Sequence, residues 1–397
     1  MHCLWLSWID PREGHSGELI YSSNLIQAFA ASGAIVEVLC LAGEKTAAMG
    51  SDPRGGITWH FVSPEWRRAW ASVFSPLPNV AYRVRSRSFA DAIRAHLDRG
   101  HWDCIVLDSL SLGWALPMLT ADRANRRGKF PSIVYVAHNH EESTRRQVAL
   151  SYRGSRARRF ALLADASKAA ALERRIVDAA DLVTAITEHD RSCFAERRDG
   201  RPVIALPPGY EGRRLFRRHI SGRVPRRAVL VGSFHWVAKQ MNLEGFLNVA
   251  DPMFAARNAE LHVVGSGNDE LFEKLRKRTV ATSLVGRVEC VWPHLDNARI
   301  AVVPEEVGGG FKLKVLDYVF NRLPVAAFRD SVEGLPLSSP ESMLTFNSFH
   351  DLASGVLKAI DDFDLLNRLQ ERAFTACAHR FEWPSRGNDL HNAVRAL

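Results

Sequence analysis

Several features that mark specialised classes of protein are missing from this sequence. The six cysteines form no CxxC pair and no regular spacing, so they indicate neither a zinc site nor a disulfide framework. No run of about 18 apolar residues occurs, and the sequence therefore predicts no membrane-spanning helix. The first segment, MHCLWLSWIDPREGHSG, lacks a basic stretch followed by a long apolar one. We therefore expect no signal peptide and a reducing, cytoplasmic location.

Short-period repeats and low-complexity tracts are also missing, and the composition is that of an ordinary globular protein. Hydrophobic residues make up 46% and charged residues 24% of the 397 residues, a length that favours two domains. The formal net charge of +8 suggests an anionic partner: a nucleotide, a nucleic acid or an acidic membrane surface.

Apolar runs alternate with helical spacing in two stretches of the chain, residues 2–187 and 228–328. This alternation predicts an α/β protein with two Rossmann-like, doubly wound domains facing a cleft. A stretch rich in Pro, Gly and Arg at 200–227 interrupts the pattern and suggests the connection between domains. We expect an N-terminal domain at 1–207, a C-terminal domain at 208–375, and a final helix at 376–397 that packs back on the N-terminal domain. Ligands of such sheets bind beyond the carboxyl ends of the strands.

The segment VVPEEVGGGFKLKVLDYVFNRLPVAAF, residues 302–328, has the pattern of a phosphate site. A predicted strand ends at Pro304, and three glycines, 308–310, precede a predicted helix. Glycines let backbone N–H groups approach a phosphate, and a helix N-terminus favours an anion. Lys312 and Lys314 add positive charge, and Asp317 can accept hydrogen bonds from a ribose diol. The alternative is an ordinary loop followed by an amphipathic helix.

This segment resembles the donor-binding signature of GT-B glycosyltransferases, especially the family-4-like group (glycosyl transferases group 1). The neighbouring stretches LVGSFHW, LHVVGSG and VEGLP agree, and GHSG and VAHNHE extend the resemblance into the first half. The resemblance implies transfer of a sugar from a nucleoside diphosphate sugar to a hydroxyl of a glycan, polysaccharide or glycolipid, with retention of configuration. It implies no cofactor and no required metal, since helix N-termini and lysines can stabilise the departing diphosphate.

The resemblance also implies roles for individual residues. Members of the family carry two glutamates here; the second falls on Asp317 and the first on Gly309, eight positions earlier. Their Arg and Lys after the first strand of the C-terminal domain fall on Ser233 and Lys239. The implied catalytic residues are His138 and Lys239. The implied donor-binding residues are Gly14, Gly17, Ser233, Lys239, Gly308, Gly309, Gly310, Phe311, Lys312, Lys314 and Asp317.

His138 follows a predicted strand, at the position where retaining members carry a histidine facing the donor sugar. Nearby Glu141 or Glu142 is the alternative, as the base of an inverting reaction. His140 is a weaker candidate than His138. The loop between Gly14 and Gly17 is expected beneath the donor phosphates, with His15 and Ser16 as possible acceptor contacts.

Arginines and aromatic residues are interleaved in the first half of the chain. This pattern favours peripheral contact with an anionic membrane, although a solvated surface explains it as well. The residues are Arg67, Arg68, Arg83, Arg85, Arg87, Arg145, Arg146, Arg153, Arg156, Arg158 and Arg159, with Trp66, Trp70, Phe74, Tyr82 and Tyr152.

Three other functions are compatible with the sequence. A nucleotide-sugar 2-epimerase shares the fold, and fold does not fix function. A non-catalytic nucleotide-sugar binder is suggested by Gly309 and Ser233, which replace expected contacts. A nucleic-acid-binding protein would fit the arginine content, but no recognised binding module is present, so we expect no nucleic-acid partner.

Overall fold

The structure, a computed structural model, describes residues 1–14, 16–44, 46, 51–125 and 130–397, and the chain divides into two compact units. Unit 1 comprises Met1–Gly209 together with Glu382–Leu397, and unit 2 comprises Tyr210–Phe381. The chain thus passes into unit 2 just after Gly209, within two residues of the position expected from the sequence. The return to unit 1 comes at Glu382, so residues 376–381 lie in unit 2.

The sheet of unit 1 contains seven parallel strands and one antiparallel edge strand. The strand order is β3-β4-β2-β1-β5-β6-β7-β8, and β3 pairs antiparallel with β4. The strands are β1 His2–Ser7, β2 Ile35–Leu41, β3 Ser51–Arg54, β4 Ile57–Val62, β5 Cys104–Asp108, β6 Ser132–Val136, β7 Leu182–Ala185 and β8 Val203–Ala205.

Helices connect these strands and cover the sheet. They are α1 Gly17–Ala31, α2 Asn79–Val84, α3 Arg87–Arg99, α4 Leu116–Asn125, α5 Glu141–Ser151, α6 Arg156–Ala179 and α7 Glu188–Arg197, with α14 Trp383–Arg395 from the end of the chain. Short 3₁₀ helices span Pro11–Glu13, Ala69–Phe74 and Leu110–Ala115.

The last helix, α14, packs against α1 within unit 1. Gly387 makes this approach possible, because a Cβ atom there would lie only 2.0 Å from the carbonyl oxygen of Ala28. Trp383 and Pro384 begin α14. Proline is tolerated in the first turn of a helix, where its missing N–H has no intrahelical partner anyway. The break in helical structure comes earlier, between Cys377 and Trp383.

Unit 2 has a sheet of six parallel strands in the order β11-β10-β9-β12-β13-β14. The strands are β9 Arg227–Val231, β10 Glu260–Val264, β11 Thr282–Gly286, β12 Ile300–Val303, β13 Val325–Phe328 and β14 Leu344–Phe346. The helices are α8 Val237–Ala255, α9 Asp269–Arg276, α10 Trp292–Asp296, α11 Leu313–Phe320, α12 Phe349–Ala359 and α13 Phe363–Cys377.

Successive residues of the central strands face opposite sides of the sheet, and both sides are buried. In β12, Ile300 and Val302 pack into one hydrophobic cluster of unit 2, whereas Ala301 and Val303 pack into another. Strands covered on both faces read as continuous apolar runs, which explains why they were visible in the sequence. The predicted pair of doubly wound α/β domains is confirmed. Within the described residues, no helix is long and apolar enough to cross a membrane.

Candidate functional site

In unit 2, the predicted phosphate loop lies beyond the carboxyl ends of neighbouring strands. β9 lies between β10 and β12 in the sheet, so the segments that follow these three strands start at one edge. Ser233 comes two residues after β9, and Glu305 and the three glycines come after β12. The structure therefore brings the predicted donor-binding residues of unit 2 to the edge where ligands of such sheets bind.

The glycine loop is anchored to helix α8 by the buried side chain of Asn242. Its amide nitrogen donates to the Val307 carbonyl oxygen at 2.7 Å, and its oxygen accepts from the Val307 N–H at 3.1 Å. Gly308 and Gly310 have φ angles of 113° and 77°, in the left-handed region that favours glycine. The loop thus has a fixed shape that depends on its glycines.

Three lysines surround one buried carboxylate beside this loop. Glu305 is 8% exposed and forms ion pairs with Lys312, at 3.4 Å, and with Lys314. Burial alone would raise the pKa of Glu305, but the charges of Lys314, Lys312 and Lys239 outweigh it and hold the pKa well below its usual range. Three ammonium groups and one ionised carboxylate leave a net positive charge, which suits a diphosphate.

The three lysines differ in what they contact. Lys312 is buried and donates to the carbonyl oxygens of Gly309 and Gly310, at 2.6 and 3.0 Å. It therefore positions the glycine loop. Lys239 lies in the first turn of α8, and no hydrogen bond or ion pair joins its ammonium to a described residue. Burial lowers the pKa of Lys239, an effect that Glu305 opposes and Lys314 and Lys312 reinforce.

Two helix N-termini of unit 2, those of α8 and α11, are open, in contrast to those near the predicted site in unit 1. Neither α8 nor α11 has a side chain that caps its first N–H groups. In unit 1, Ser16 accepts from the Leu19 N–H at the start of α1, and Glu173 accepts from the first two N–H groups of α5. An uncapped N-terminus is a ready site for an anion. The contrast favours unit 2 as the phosphate-binding unit.

Asp317 is half-buried on α11 and accepts a hydrogen bond from the Tyr210 hydroxyl at 3.0 Å. Burial raises the pKa of Asp317 to about 6, and the Tyr210 hydrogen bond partly opposes this shift. Keeping this buried carboxylate ionised lowers the stability of the fold. Groups that carry such a cost are typically retained for binding.

We expect Asp317→Asn to weaken donor binding without lowering the melting temperature. Loss of charge-assisted hydrogen bonds to the ribose should cost about 1.5–3 kcal/mol of donor binding. The pKa of Asp317 is higher in the folded state than in the unfolded state. Asp317 therefore contributes fully to folding stability only below pH about 4, and this contribution is lost as the pH rises through about 6. The variant should therefore melt at the same or a higher temperature than the parent at pH above about 7.

Calorimetric titration with the donor and thermal melts at several pH values measure both effects. The exposed Asp330→Asn is the matched control and should change neither quantity. Unchanged donor affinity in Asp317→Asn would remove Asp317 from the donor site.

In unit 1, His138 lies two residues beyond β6 and forms a dyad with Asp108, the last residue of β5. The His138 Nε2 and Asp108 Oδ1 atoms are 2.7 Å apart, and both side chains are buried. Asp108 also accepts from the Trp5 indole N–H at 2.9 Å and from the Ser22 hydroxyl at 3.1 Å. These contacts fix the position of the His138 ring.

The electrostatic environment of His138 favours the imidazolium form. Burial alone would lower the pKa of His138, but the hydrogen bond to Asp108, the charge of Asp108 and the charge of Glu18 together raise it. The His138 Nδ1 atom is buried and has no hydrogen-bond partner among the described residues. A buried nitrogen without a partner needs an explanation, and a bound substrate would supply the missing hydrogen-bond partner.

The alternative bases, Glu141 and Glu142, are both engaged in ion pairs. Glu141 pairs with Arg145, and Glu142 pairs with Arg174. His140 Nδ1 lies 2.9 Å from the Ser143 hydroxyl, and its ring contacts Phe194 edge-on. These contacts give the three side chains structural roles at the start of α5.

The loop after β1 reaches the same edge of unit 1 as the dyad, because β1 pairs with β5 and β5 with β6. Gly14 packs so closely against Leu19 that a Cβ atom would lie 2.1 Å from Leu19 Cδ1, and Gly17 is the first residue of α1. Ser16 caps α1. His15 lies outside the described residues.

The last predicted donor residue, Phe311, packs its ring against Phe381 in unit 2, with 5.8 Å between ring centroids.

The sequence interpretation missed Asp108 and Glu18 in unit 1, and Asn242 and Tyr210 in unit 2. Asp108 ends a buried strand, and its position alone was a signal, since a carboxylate at a strand's carboxyl end is a candidate site residue. The long-range partners of Asn242 and Tyr210 leave no trace in local sequence.

Comparison with known proteins identifies the class of unit 2. Residues 225–362 match the family model described as glycosyl transferases group 1. These residues of unit 2 are therefore similar to glycosyl transferases group 1. The match supports a glycosyltransferase activity. No curated protein sequence matches the chain.

Solved structures extend this comparison to the whole chain. Sucrose-phosphate synthase from Thermosynechococcus elongatus is 16% identical with a TM-score of 0.74, covering 100% of this chain and 98% of that chain. HepE from Anabaena, in complex with UDP and glucose, is 11% identical with a TM-score of 0.65 and covers 100% of both chains. WaaG, a glycosyltransferase involved in lipopolysaccharide biosynthesis, is 16% identical with a TM-score of 0.65 and covers 99% of both. At these identities the likeness establishes the fold, and the expected GT-B fold is confirmed.

Proposed function

We propose that the chain transfers a glycosyl group from a nucleoside diphosphate sugar to a hydroxyl of a glycan, polysaccharide or glycolipid acceptor, with retention of configuration. The observation that carries the proposal is the anion site of unit 2: two uncapped helix N-termini, a fixed glycine loop and three lysines around Glu305. Asp317 would accept hydrogen bonds from the ribose, and His138 of unit 1 would contact the transferred sugar. Helix N-termini and Lys239 would stabilise the departing diphosphate, so no metal is required for this step.

A screen of nucleotide sugars tests the proposal. HepE was solved with UDP and glucose, which makes UDP-glucose a reasonable first donor to try. A donor present at 100 times its dissociation constant should stabilise the protein by about 2.7 kcal/mol and raise the melting temperature. Donors that bind are then incubated with glycan and glycolipid acceptors, and the products are identified by mass spectrometry. Failure of every nucleotide sugar to shift the melting temperature would contradict the proposal.

The same assays separate the two remaining functions on this fold. An epimerase would convert the donor without any acceptor. It would form no transferred product and would release no nucleoside diphosphate. A non-catalytic binder would show the thermal shift without turnover. The His138–Asp108 dyad favours a catalyst, because its buried, unpartnered nitrogen has no evident structural use.

We further propose that unit 1 docks on an anionic membrane, as an enzyme with a lipid-linked acceptor would need. Ten of the eleven arginines predicted for this surface are exposed. Arg145 is the exception, since it is half-buried and pairs with Glu141 and Asp165. Large apolar side chains are exposed on the same unit: Trp66, Trp70, Val73, Phe74, Leu150 and Phe160. Lys168 on α6 donates to the carbonyl oxygens of Ser72 and Val73, which joins the 3₁₀ helix Ala69–Phe74 to α6.

We expect the protein to sediment with vesicles that contain anionic lipid and to be released by salt. Each arginine near the membrane surface contributes about 1 kcal/mol of binding free energy at low salt. Aromatic rings that insert among the lipid headgroups add to this binding. Phe74→Ser should weaken the binding. The matched control is Phe216→Ser, which removes an equally exposed phenylalanine from unit 2. Equal binding to neutral vesicles, or no binding to either kind, would refute membrane docking.

A further inference from the structure

A cluster of histidines around one glutamate lies on the sheet of unit 1, apart from the site described above. His2, Glu37 and His60 come from the three neighbouring strands β1, β2 and β4. The strand register pairs Leu4 with Glu37 and Leu39 with His60. Because side chains alternate between faces, His2, Glu37 and His60 all point to the same face of the sheet.

Helix α3 brings a third imidazole to this face. The His96 Nδ1 atom lies 2.7 Å from the Ala92 carbonyl oxygen, which can only accept a hydrogen bond. The proton of the neutral ring is therefore on Nδ1, and the lone pair of Nε2 is free. The His96 and His60 rings are 4.6 Å apart, centroid to centroid. A histidine that binds a metal usually donates its other ring N–H to a carbonyl or carboxylate oxygen, which fixes the tautomer.

The distances within the cluster are close to those of a metal site. The two Glu37 oxygens each lie near one imidazole: His60 Nε2 is 2.9 Å from Oε2, and His2 Nε2 is 3.1 Å from Oε1. One ligand atom each from Glu37, His60 and His96 lies within 4.8 Å of the others. Bonds of about 2.0 Å in a tetrahedral zinc site place ligand atoms roughly 3.3 Å apart, so small side-chain shifts suffice.

We propose that Glu37, His60 and His96 bind a zinc ion, and that His2 holds the Glu37 carboxylate from its other side. Two imidazoles and one carboxylate suit zinc better than magnesium, which prefers oxygen ligands. In the described part of the chain, this is the one group of three or more His, Cys, Asp or Glu side chains with such spacing.

The position of this zinc site indicates a structural role. His2 is the first residue of β1 and Glu37 the third of β2, so these two residues lie in the amino-terminal halves of their strands. The His138–Asp108 dyad lies beyond the carboxyl ends of β5 and β6. The metal would join β2 and β4 to helix α3, with β1 linked through His2, and would take no part in sugar transfer.

Titration of the tag-free, EDTA-treated full chain with ZnCl₂, followed by calorimetry, tests the proposal. We expect one saturable site per chain, a higher melting temperature with Zn²⁺, and no comparable effect of MgCl₂. His60→Gln or Glu37→Gln should weaken Zn²⁺ binding by about 100-fold or more. Even the loss of a residue that only hydrogen-bonds to a metal ligand lowers metal affinity by about 10–100-fold. The matched control is His262→Gln, which alters a His–Glu pair on β10 that has no third ligand.

Cobalt provides a measurement on the unaltered protein, in case a variant does not fold. Co²⁺ bound by nitrogen and oxygen in a tetrahedral site absorbs visible light, and cysteine ligands would add sulfur charge-transfer bands. We expect the visible bands without the sulfur bands, and loss of the visible bands on adding Zn²⁺. Absence of saturable Zn²⁺ binding by the unaltered chain, sulfur bands with Co²⁺, or full-strength binding by both variants would overturn the proposal.

Discussion

Replacing His138 with alanine should lower the catalytic rate of transfer by about 100-fold or more, with little change in nucleotide binding. Nucleotide binding should persist because the proposed diphosphate and ribose contacts all lie in unit 2. His138 is held by Asp108 through Nε2, and its other nitrogen is left for a substrate. In a retaining reaction this group would orient the sugar or stabilise charge that develops at its anomeric carbon. His138→Gln should restore part of the rate, since an amide can still donate a hydrogen bond.

The measurements that decide this prediction are single-turnover rates, nucleotide titrations and thermal melts on the same preparations. His140→Ala is the matched control: it removes a neighbouring imidazole that contacts Ser143 and Phe194, and it should leave the rate nearly unchanged. If the melting temperature of His138→Ala falls in step with its activity, His138 only supports the loop. An inverted product, seen by NMR of its anomeric proton, would shift the catalytic role toward Glu141 or Glu142.

Replacing Lys239 with alanine should also reduce transfer strongly, by about 3 kcal/mol of transition-state stabilisation, or roughly 100-fold in rate. Lys312 and Lys314 are paired with Glu305, whereas the Lys239 ammonium has no such contact with a described residue. It is therefore the lysine best placed to meet charge that develops on a departing diphosphate. Folding should be little affected, because the substitution breaks no hydrogen bond or ion pair to a described residue.

Because burial lowers the pKa of Lys239, its charge should be lost at a lower pH than that of an ordinary lysine. Activity of the parent protein should then decline toward alkaline pH with a midpoint below the usual lysine range, and Lys239→Ala should lack this decline. The control is Lys274→Ala, which removes an exposed lysine paired with Glu244 on the surface of unit 2. Turnover of Lys239→Ala at the parent rate would exclude Lys239 from the reaction.

The fold could be predicted because buried parallel strands carry continuous apolar runs with helical spacing between them. Helix ends are harder to predict, because tertiary packing also decides them: α8 spans Val237–Ala255 and continues through Pro252. The glycine loop and His138 were found because each directly follows a strand, where position in the sequence translates into position at the sheet edge.

The partners of these residues could not be predicted, because they depend on register between distant strands. Asp108 meets His138 only because β5 pairs with β6, and Trp5 reaches the same carboxylate from β1. The histidine cluster is a stronger example: its members span residues 2–96 and share no local spacing that a metal motif could match. Lys312 was expected to contact the diphosphate, whereas its buried ammonium holds the loop carbonyls. Whether it also meets the donor stays a prediction.

The discontinuity of unit 1 has a consequence for how the chain is made. Unit 2 is one contiguous stretch, Tyr210–Phe381, and all its strands are synthesised before α14. Unit 1 must wait for α14, whose Trp383 packs on Tyr21 and whose His391 packs on Phe29. The half that is synthesised first is therefore completed last, the reverse of the usual vectorial order. During that interval the apolar face of α1 stays uncovered, and a nascent chain stalled before Glu382 would present it to chaperones.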